Sequence, residues 1–340
     1  MPERQAQMTT TMAAGRSGFA GRRCLVLGGG GFIGTNLSRG LVTAGAQVTA
    51  FGAQASFPEA LSGIDWRPGS FSDHDALAKA IAGVAVVFHL IGAGIPARSN
   101  LDPAGDLNTS TINTLHMLDI CRQAGVAKVI FVSSGGTVYG VPEHLPICES
   151  HPTDPISAYG ISKLAIEKYL GLYRRLHGLD YCVLRVANPY GPYQVPFNNQ
   201  GVVASILQRA LSGEAVEIWG DGEIVRDFIH IDDVVDTLIA AVDYAGPKRV
   251  FNVGSGIGRS VNQIITDVET VLKLGPIARD YKPARPADVP VNVLDIGLIQ
   301  REMGWRPCID WLEGLRSTGS WMTRWLATQP VRRPVNAAGP

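Results

Sequence analysis

The sequence is poor in charged residues and has no excess of either sign. Only 18% of its 340 residues are charged, and 30 basic residues balance 30 acidic ones. No block of like charge interrupts the chain. Proteins that bind nucleic acid or acidic membranes usually carry such a block or a basic patch. We therefore expect no nucleic-acid or membrane partner and favour a small molecule.

Long apolar runs and paired cysteines are also missing. No stretch approaches the roughly 20 apolar residues that a membrane-spanning helix needs, and the first 20 residues contain no apolar signal-peptide core. The five cysteines form no Cys-x-x-Cys pair, and the seven histidines show no metal-ligand spacing. These absences predict a cytoplasmic protein without a metal site. The composition of residues 1–20 and 330–340 predicts disordered tails.

What the chain does have is enough apolar residues, 46%, for a large core, arranged as short apolar runs that alternate with helical patterns. Such alternation predicts parallel strands joined by right-handed crossovers. The expected fold is α/β, a doubly wound parallel sheet of the Rossmann type. The first five predicted strands cover residues 24–27, 47–51, 84–91, 128–133 and 181–186.

The regular alternation breaks after residue 187, where prolines and glycines become frequent. We expect residues 21–187 to form a dinucleotide-binding domain. Residues 226–256 would return to it through strands at 227–231 and 249–253. A smaller, discontinuous substrate domain would consist of residues 188–225 and 257–329.

A glycine run follows the first predicted strand. Gly28, Gly31 and Gly34 have Gly-x-x-Gly-x-x-Gly spacing, while Gly29, Gly31 and Gly34 satisfy Gly-x-Gly-x-x-Gly, so the register stays open. In either register a tight turn brings backbone N–H groups and a helix N-terminus close to a pyrophosphate. This turn predicts a dinucleotide cofactor. The residues expected to contact it are Gly28, Gly31, Phe32, Ile33, Gly34 and Leu90.

The second predicted strand ends at Phe51-Gly52-Ala53-Gln54, without an acidic residue. Dinucleotide sites usually carry an acid there to hold the ribose hydroxyls. An arginine that would accept a 2′-phosphate is missing from this stretch as well. The pattern favours NAD over NADP.

A Tyr-x-x-x-Lys pair lies in a strongly helical segment that begins near Asp154-Pro155 and stops at Gly178. Residues four apart share a helix face, so Tyr159 and Lys163 present a phenol beside an ammonium group. The cation favours the phenolate, which predicts a pKa for Tyr159 below its usual value of about 10. Together with a dinucleotide site, such a base indicates hydride chemistry.

With these residues the chain resembles the extended short-chain dehydrogenase/reductase superfamily, and within it the NAD-dependent nucleotide-sugar epimerases and dehydratases of the UDP-glucose 4-epimerase type. The resemblance covers about residues 22–325. The segments that carry it are residues 28–34, 132–140, 159–163, 184–192, 226–233 and 285–289.

The resemblance implies roles for individual residues. Tyr159 would be the acid/base, Lys163 would bind the nicotinamide ribose, and a serine or threonine would hold the sugar hydroxyl. Counting forward from the strand puts Ser134 in this third position, and counting back from the Val-Tyr-Gly segment puts Gly135 there. Thr137 is a possible substitute. We favour Ser134 because the role needs a hydroxyl that donates or relays a proton.

The resemblance also implies a binding site for a sugar nucleotide. Asn188 would contact a phosphate or the sugar, and Arg226 would face the pyrophosphate. Arg285 and Asp288 would clamp a phosphate and the ribose. An arginine fork suits a diphosphate because it forms paired, charge-assisted hydrogen bonds.

Dehydratases of this family place an Asp-Glu pair directly before the Val-Tyr-Gly segment, where this chain has Gly136-Thr137. We therefore expect 4-epimerisation of a UDP-hexose, in its plain or N-acetyl form, by transient oxidation at C4 with bound NAD. A reductase or dehydratase of the same family is the nearest alternative, and a non-catalytic dinucleotide-binding protein is the alternative from another class. A homodimer built from two helices per subunit is common in similar proteins and is expected here.

Overall fold

The computed structural model describes residues 19–92, 99–196, 201–284 and 289–329. The strands within them are, in chain order, β1 (Arg23–Leu27), β2 (Gln47–Gly52), β3 (Asp65–Pro68), β4 (Val86–His89), β5 (Lys128–Ser134), β6 (Asp180–Val186), β7 (Asn188–Tyr190), β8 (Val216–Trp219), β9 (Val225–His230), β10 (Val250–Val253), β11 (Gly258–Ser260), β12 (Arg279–Lys282) and β13 (Val291–Asn292).

The α-helices of the same residues are α1 (Phe32–Thr43), α2 (His74–Ile81), α3 (Pro103–Asp106), α4 (Asn113–Gln123), α5 (Ala158–His177), α6 (Val202–Ser212), α7 (Ile231–Asp243), α8 (Val261–Leu272), α9 (Gly297–Met303) and α10 (Trp311–Thr328). A 3₁₀ turn covers Pro58–Leu61, and a π-helical turn, Leu107–Ile112, joins α3 to α4. No helix in these described ranges has both the length and the hydropathy for a membrane span.

A seven-stranded sheet forms the main layer, in the order β10-β6-β5-β4-β1-β2-β3, and all neighbouring strands are parallel. Successive residues of β5, Val129 and Ile130, are fully buried in apolar clusters on opposite faces of this sheet. Helices therefore cover both faces, which explains why the central strands are apolar runs rather than alternating patterns. The predicted doubly wound α/β fold is confirmed.

The order of the strands reverses between β1 and β4, and this reversal locates the crevice of the fold. Crossovers from β1 lead one way along the sheet and crossovers from β4 lead the other way. Ligands of doubly wound sheets bind at this point, beyond the carboxyl ends of the strands.

The predicted strand at 227–231 does not return to the main sheet, so this part of the prediction is wrong. β9 pairs instead with β7, β11 and β13 in a second sheet, and β10 alone occupies the outer edge of β6. The apolar pattern indicated a strand but carried no information about its partner. The helix that follows, α7, does pack against the main sheet through residues such as Val234 and Leu238.

A third apolar cluster lies apart from the two clusters of the main sheet. It joins side chains of α6, α8 and α10 with those of β8 and β9, including Leu207, Ile265 and Leu315. This cluster supports the proposed division into a dinucleotide-binding part and a substrate-binding part, which stays a prediction. Phe19 is fully buried, so ordered packing begins inside the segment that was predicted as a tail. Residues 1–18 and 330–340 lie outside the described residues.

Candidate active site

The glycine turn between β1 and α1 leaves no room for side chains where the helix meets the strand. Gly28 has a φ of +83°, a conformation that L-residues with a side chain rarely adopt. A Cβ on Gly34 would lie 2.1 Å from the carbonyl oxygen of Gly28 and 2.7 Å from Cα of Gly29. The first turn of α1 therefore packs directly on the backbone of the turn.

The N-terminus of α1 has the features of an anion site. Gly31 is the N-cap and supplies no side-chain hydrogen bond, and the first turn contains no acidic residue. The N–H groups at the start of a helix have no partner within the helix, and they carry a partial positive charge. The turn thus fits the pyrophosphate of a dinucleotide, and the residues predicted from the sequence to hold it, Gly28, Gly31, Phe32, Ile33 and Gly34, lie at this turn.

The segment after β4 connects this turn to the Tyr-Lys pair. The N–H of Leu90 donates to the carbonyl of Leu27 at 3.0 Å, and the Leu90 carbonyl carbon would lie 3.4 Å from a Cβ on Gly28. A Cβ on Gly92 would lie 3.3 Å from Nζ of Lys163 and 3.6 Å from Cε2 of Tyr159. Gly92 was not predicted as a site residue, although a glycine directly after a predicted strand signals a close approach.

Helix α5 places the pair against the end of β5. Its first turn is capped by Ser157, whose hydroxyl accepts from the N–H of Gly160 at 3.2 Å, so the helix starts after the predicted Asp154-Pro155 signal. Lys163 is buried and donates from Nζ to the carbonyl of Val132 at 2.9 Å. The Nζ atom lies 5.7 Å from the ring centre of Tyr159.

The expected lowering of the Tyr159 pKa is not found. Burial raises the pKa of Tyr159 to about 12, and the negative charge of Asp106 acts in the same direction. Burial also lowers the pKa of Lys163 to about 8, against the charges of Glu167 and Asp106. Attraction within the pair would lower the pKa of Tyr159, but the loss of solvent around both groups has the larger effect. The protein alone therefore favours the protonated phenol at neutral pH.

The three candidate positions for the residue that holds the sugar hydroxyl, 134, 135 and 137, have different surroundings. Ser134 lines the same pocket as Tyr159. A Cβ on Gly135 would meet Cδ1 of Leu294 at 2.5 Å, so that position faces the core rather than the pocket. The hydroxyl oxygen of Thr137 is buried and has no hydrogen-bond partner among the described residues. These surroundings favour Ser134.

The pocket has a volume of about 590 Å³ and extends from the ends of β5 and β6 to α6 and β8. Asn188 and Arg226, both predicted to bind substrate, line it. The Asn188 amide donates to the carbonyl of Asp227 at 3.0 Å, and Nη1 of Arg226 donates to the carbonyl of Val225 at 2.9 Å. Arg285 and Asp288 lie outside the described residues. Polar side chains that were not predicted as site residues also line the pocket, among them Gln194, Ser205, Arg209 and Glu217.

A buried ion pair joins the helix that carries Tyr159 to the strands at the pocket. Glu167, on α5, lies 2.6 Å from Nη2 of Arg185, on β6. The Glu167 carboxylate also accepts a hydrogen bond from the hydroxyl of Ser133 at 2.5 Å. The pair therefore ties α5 to β5 and β6 one residue away from Ser134. Neither Glu167 nor Arg185 was predicted as a site residue, because a single charged residue in a sequence normally indicates a position on the surface.

Comparisons with known proteins agree with this geometry. The profile of the NAD dependent epimerase/dehydratase family matches residues 24–254. A UDP-glucose 4-epimerase of Mycolicibacterium smegmatis is 37% identical over 233 residues, which cover 68% of this chain and 74% of that relative. A dTDP-glucose 4,6-dehydratase of Streptomyces griseus is 30% identical over 309 residues, which cover 87% of this chain and 93% of that relative.

Among solved structures, UDP-glucose 4-epimerase from Thermotoga maritima with UDP-glucose superimposes with a TM-score of 0.85. It is 36% identical in sequence, and the match covers 89% of this chain and 99% of that structure. The family profile extends over the glycine turn and the Tyr-Lys helix. The chain therefore belongs to the NAD-dependent epimerase/dehydratase family.

Proposed function

We propose that this protein is a nucleotide-sugar 4-epimerase that interconverts UDP-hexoses, plain or N-acetylated, by transient oxidation at C4 with bound NAD. The observation that carries the proposal is the shared pocket. Tyr159 and Ser134 lie in one cavity with Asn188 and Arg226, at the carboxyl edge of the main sheet. Its volume of about 590 Å³ falls in the range of ordinary ligand pockets.

When bound, NAD supplies a group that accepts a hydride from the sugar and returns it. The residues that would hold it are those of the glycine turn, the N-terminus of α1, Leu90 and Lys163. The other residues of the site act on the substrate. Tyr159 takes the proton from the C4 hydroxyl during oxidation and gives a proton back during reduction, while the charge of Lys163 stabilises the phenolate. Ser134 donates a hydrogen bond to the same sugar oxygen.

Epimerisation requires the 4-keto sugar to present its other face before it is reduced. Arg226 and Asn188 would hold the diphosphate end while the hexose turns about this tether, with Arg285 and Asp288 proposed as the remaining clamp. Inversion follows because the hydride returns to the opposite face of C4 while Tyr159 returns the proton to the C4 oxygen. The protein's main contribution is then to position both reactants beside one base.

The same pocket argues against the dehydratase alternative. Elimination of water needs carboxyl groups near the sugar, and Gly136 and Thr137 stand where family dehydratases carry them. Among the described residues that line the pocket, the only carboxylate is Glu217, which is paired with Arg209 at 3.2 Å. Oxidation followed by return of the hydride is therefore favoured over loss of water.

Incubation of the purified protein with UDP-glucose, UDP-galactose and their N-acetyl forms tests the proposal. We expect interconversion of C4 epimers without added reductant, with NAD released on denaturation. Formation of a 6-deoxy-4-keto sugar would identify a dehydratase, and stoichiometric consumption of added NADH in a separate assay with a nucleotide-linked 4-keto sugar would identify a reductase. A protein that carries cofactor but changes none of these sugars would support the non-catalytic alternative.

Replacing Ser134 by Ala is expected to lower kcat about tenfold to a hundredfold, because one hydrogen bond to the reacting oxygen is lost. The control is Thr137→Ala, which removes a buried hydroxyl outside the pocket lining and should change kcat less than about threefold. Steady-state kinetics with the preferred UDP-sugar measure both variants. If Thr137→Ala shows the larger loss, the hydroxyl role belongs to Thr137.

The exposed face of α5 supports the proposed homodimer. Ile161, Tyr169, Leu172 and Leu176 are exposed, with Leu176 at 62%, and they recur at helical spacing along the outside of the helix. Leu107 and Ile112, in the neighbouring π-helical turn, are exposed as well. A contiguous apolar face of this kind is typical of a subunit interface. A second copy of the chain, packing its own α5 and π-helical turn there, would cover it.

The double variant Leu172→Glu/Leu176→Glu is therefore expected to be monomeric, because four like charges would face each other across a two-fold interface. Light scattering after size-exclusion chromatography measures the mass. Val42→Glu, which changes an exposed apolar side chain on α1, is the control and should leave the dimer intact. A wild-type protein that is monomeric at micromolar concentration would contradict the proposed assembly.

A further inference from the structure

Asp106 is a buried carboxylate beside the catalytic pair to which the proposed mechanism gives no role. It is the last residue of α3 and directly precedes the π-helical turn Leu107–Ile112, which packs against α5. Only 5% of Asp106 is exposed. A charged carboxylate is rarely buried to this extent unless it is paired.

The side chain of Asp106 is hydrogen-bonded to the segment that carries the catalytic residues. Its Oδ2 accepts a hydrogen bond from the hydroxyl of Ser162 at 2.6 Å. Ser162 lies between Tyr159 and Lys163 in the sequence and is itself buried. The second carboxylate oxygen, Oδ1, is buried and has no hydrogen-bond partner within the described ranges. In the same ranges no basic side chain lies within ion-pair distance of Asp106.

The backbone around Asp106 is unusual as well. A π-helical turn is less stable than an α-helix of the same length, and such turns recur at functional sites. Here the turn follows Asp106 directly and leads into α4, where Thr114 donates a hydrogen bond to the carbonyl of Ser110 at 2.6 Å. A buried carboxylate oxygen without a hydrogen-bond partner costs stability, so a purely structural role would be better served by a neutral residue.

We propose that Asp106 is a positioning residue that sets the protonation of the Tyr159-Lys163 pair through its negative charge. The inference rests on the proposed function, since it assigns Asp106 a role in the proton transfer that Tyr159 carries out. Helix α3 carries the carboxylate, and Ser162 donates a hydrogen bond to it. The charge then favours the neutral phenol and the charged amine between catalytic events.

The electrostatic surroundings agree with this role. The charge of Asp106 raises the pKa of both Tyr159 and Lys163. Lys163 is also faced by Glu167 from its own helix and by His89 from β4. Burial lowers the pKa of His89 to about 3, so this ring is neutral at physiological pH. Asp106 is thus the charged group that acts on both members of the pair within the described residues.

The effect of removing the charge has a defined sign. Activity that depends on the phenolate rises with pH through the pKa of Tyr159, and Asp106 raises that pKa. Asp106→Asn should therefore shift the acid limb of the kcat profile toward lower pH, by about one unit for a like charge at close range. The amide oxygen can still accept from Ser162, so the local hydrogen bond is preserved. The matched control is Ser162→Ala, which removes the hydrogen bond and keeps the charge.

The experiment compares pH profiles of kcat and KM for wild type, Asp106→Asn and Ser162→Ala with the preferred UDP-sugar. A shift of the acid limb in Asp106→Asn, with the limb unmoved in Ser162→Ala, supports the proposal. A loss of kcat that is equal at every pH in Asp106→Asn, with no shift, overturns it and indicates a structural role. Asp106→Ser, which is also neutral but smaller, gives a second test if the Asn variant does not fold.

A second readout does not depend on activity. The ultraviolet absorbance of the Tyr159 phenolate is isolated by subtracting the alkaline titration of Tyr159→Phe, within the pH range where circular dichroism shows intact structure. The onset should come at lower pH in Asp106→Asn than in wild type. An unchanged onset overturns the role of Asp106 even if the protein epimerises sugars, whereas a shifted onset supports it even if none of the tested sugars is converted.

Discussion

Tyr159→Phe is expected to lower turnover by about a thousandfold, while the affinity for UDP-sugar stays close to wild type. The substitution removes the atom that takes the proton from the C4 hydroxyl in the proposed mechanism. General acid–base catalysis of this kind typically contributes about 10²- to 10⁴-fold. Phe keeps the aromatic ring near Lys163, so the shape of the pocket is retained. Steady-state kinetics give turnover, and calorimetric titration gives the affinity.

Tyr169→Phe provides the matched control for this prediction. Tyr169 lies on the same helix, but its side chain is exposed on the outer face. The same loss of a hydroxyl there should leave turnover unchanged, apart from any effect on the dimer. Turnover of Tyr159→Phe within tenfold of wild type would refute the role of the phenol as acid/base.

Glu167→Ala is expected to reduce the free energy of unfolding by about 3–5 kcal/mol, the range found when one partner of a buried ion pair is removed. Arg185 is only 4% exposed, so its guanidinium would be left buried without a counter-charge. The hydroxyl of Ser133 would lose its acceptor at the same time. Chemical denaturation followed by circular dichroism measures the change. Lower activity is also expected, because Glu167 faces Lys163 and ties α5 to β5.

Two comparisons separate the cost of an unpaired charge from other effects of this substitution. Asp65→Ala removes one partner of an exposed pair with Arg67 and should cost less than about 1 kcal/mol. Glu167→Leu combined with Arg185→Met removes both charges, and it should recover much of the stability that Glu167→Ala loses. If the double variant is less stable than Glu167→Ala, burial of an unpaired charge is not the cause.

Six of the seven strands of the main sheet were predicted because the pattern there is local, whereas the edge strand β3, whose residues are mostly exposed, was missed. Each predicted strand is a short apolar run beside a helical pattern, and the ends of the runs at Leu27 and Ser133 lie within one residue of the observed strand ends. Gly178 ends α5 with a φ of +74°, as a glycine at that position predicts. These features depend on residues that are close together in the chain, so they can be predicted from the sequence.

Features that depend on distant neighbours were missed. The pairing of β9 with β7 and β13 joins segments far apart in the chain, and nothing within the apolar run at 227–231 indicates these partners. The pKa of Tyr159 was predicted in the wrong direction because burial depends on the whole pocket wall. Asp106 was overlooked for a related reason, since its link to Ser162 spans two helices.

The choice among Ser134, Gly135 and Thr137 illustrates what structure adds to a motif. Counting along the motif left the hydroxyl position ambiguous, since an extra glycine changes the register. Packing separates the three positions, because a side chain at residue 135 would collide with Leu294, on a segment more than 150 residues away. The assignment of the role to Ser134 stays a proposal until the alanine variants are measured.

The direct passage from β6 into β7 has a consequence for how the enzyme captures its substrate. Only Ala187 separates the two strands, and its N–H donates to the carbonyl of Val253 at 2.8 Å, which pins the junction to the edge of the main sheet. Asn188 follows at once, so the proposed phosphate anchor is an extension of the catalytic sheet rather than part of a swinging arm. Large hinge bending would have to break this backbone pairing. We therefore expect the sugar nucleotide to bind through rearrangement of side chains and loops, while the backbone around the proposed base, Tyr159, stays in place.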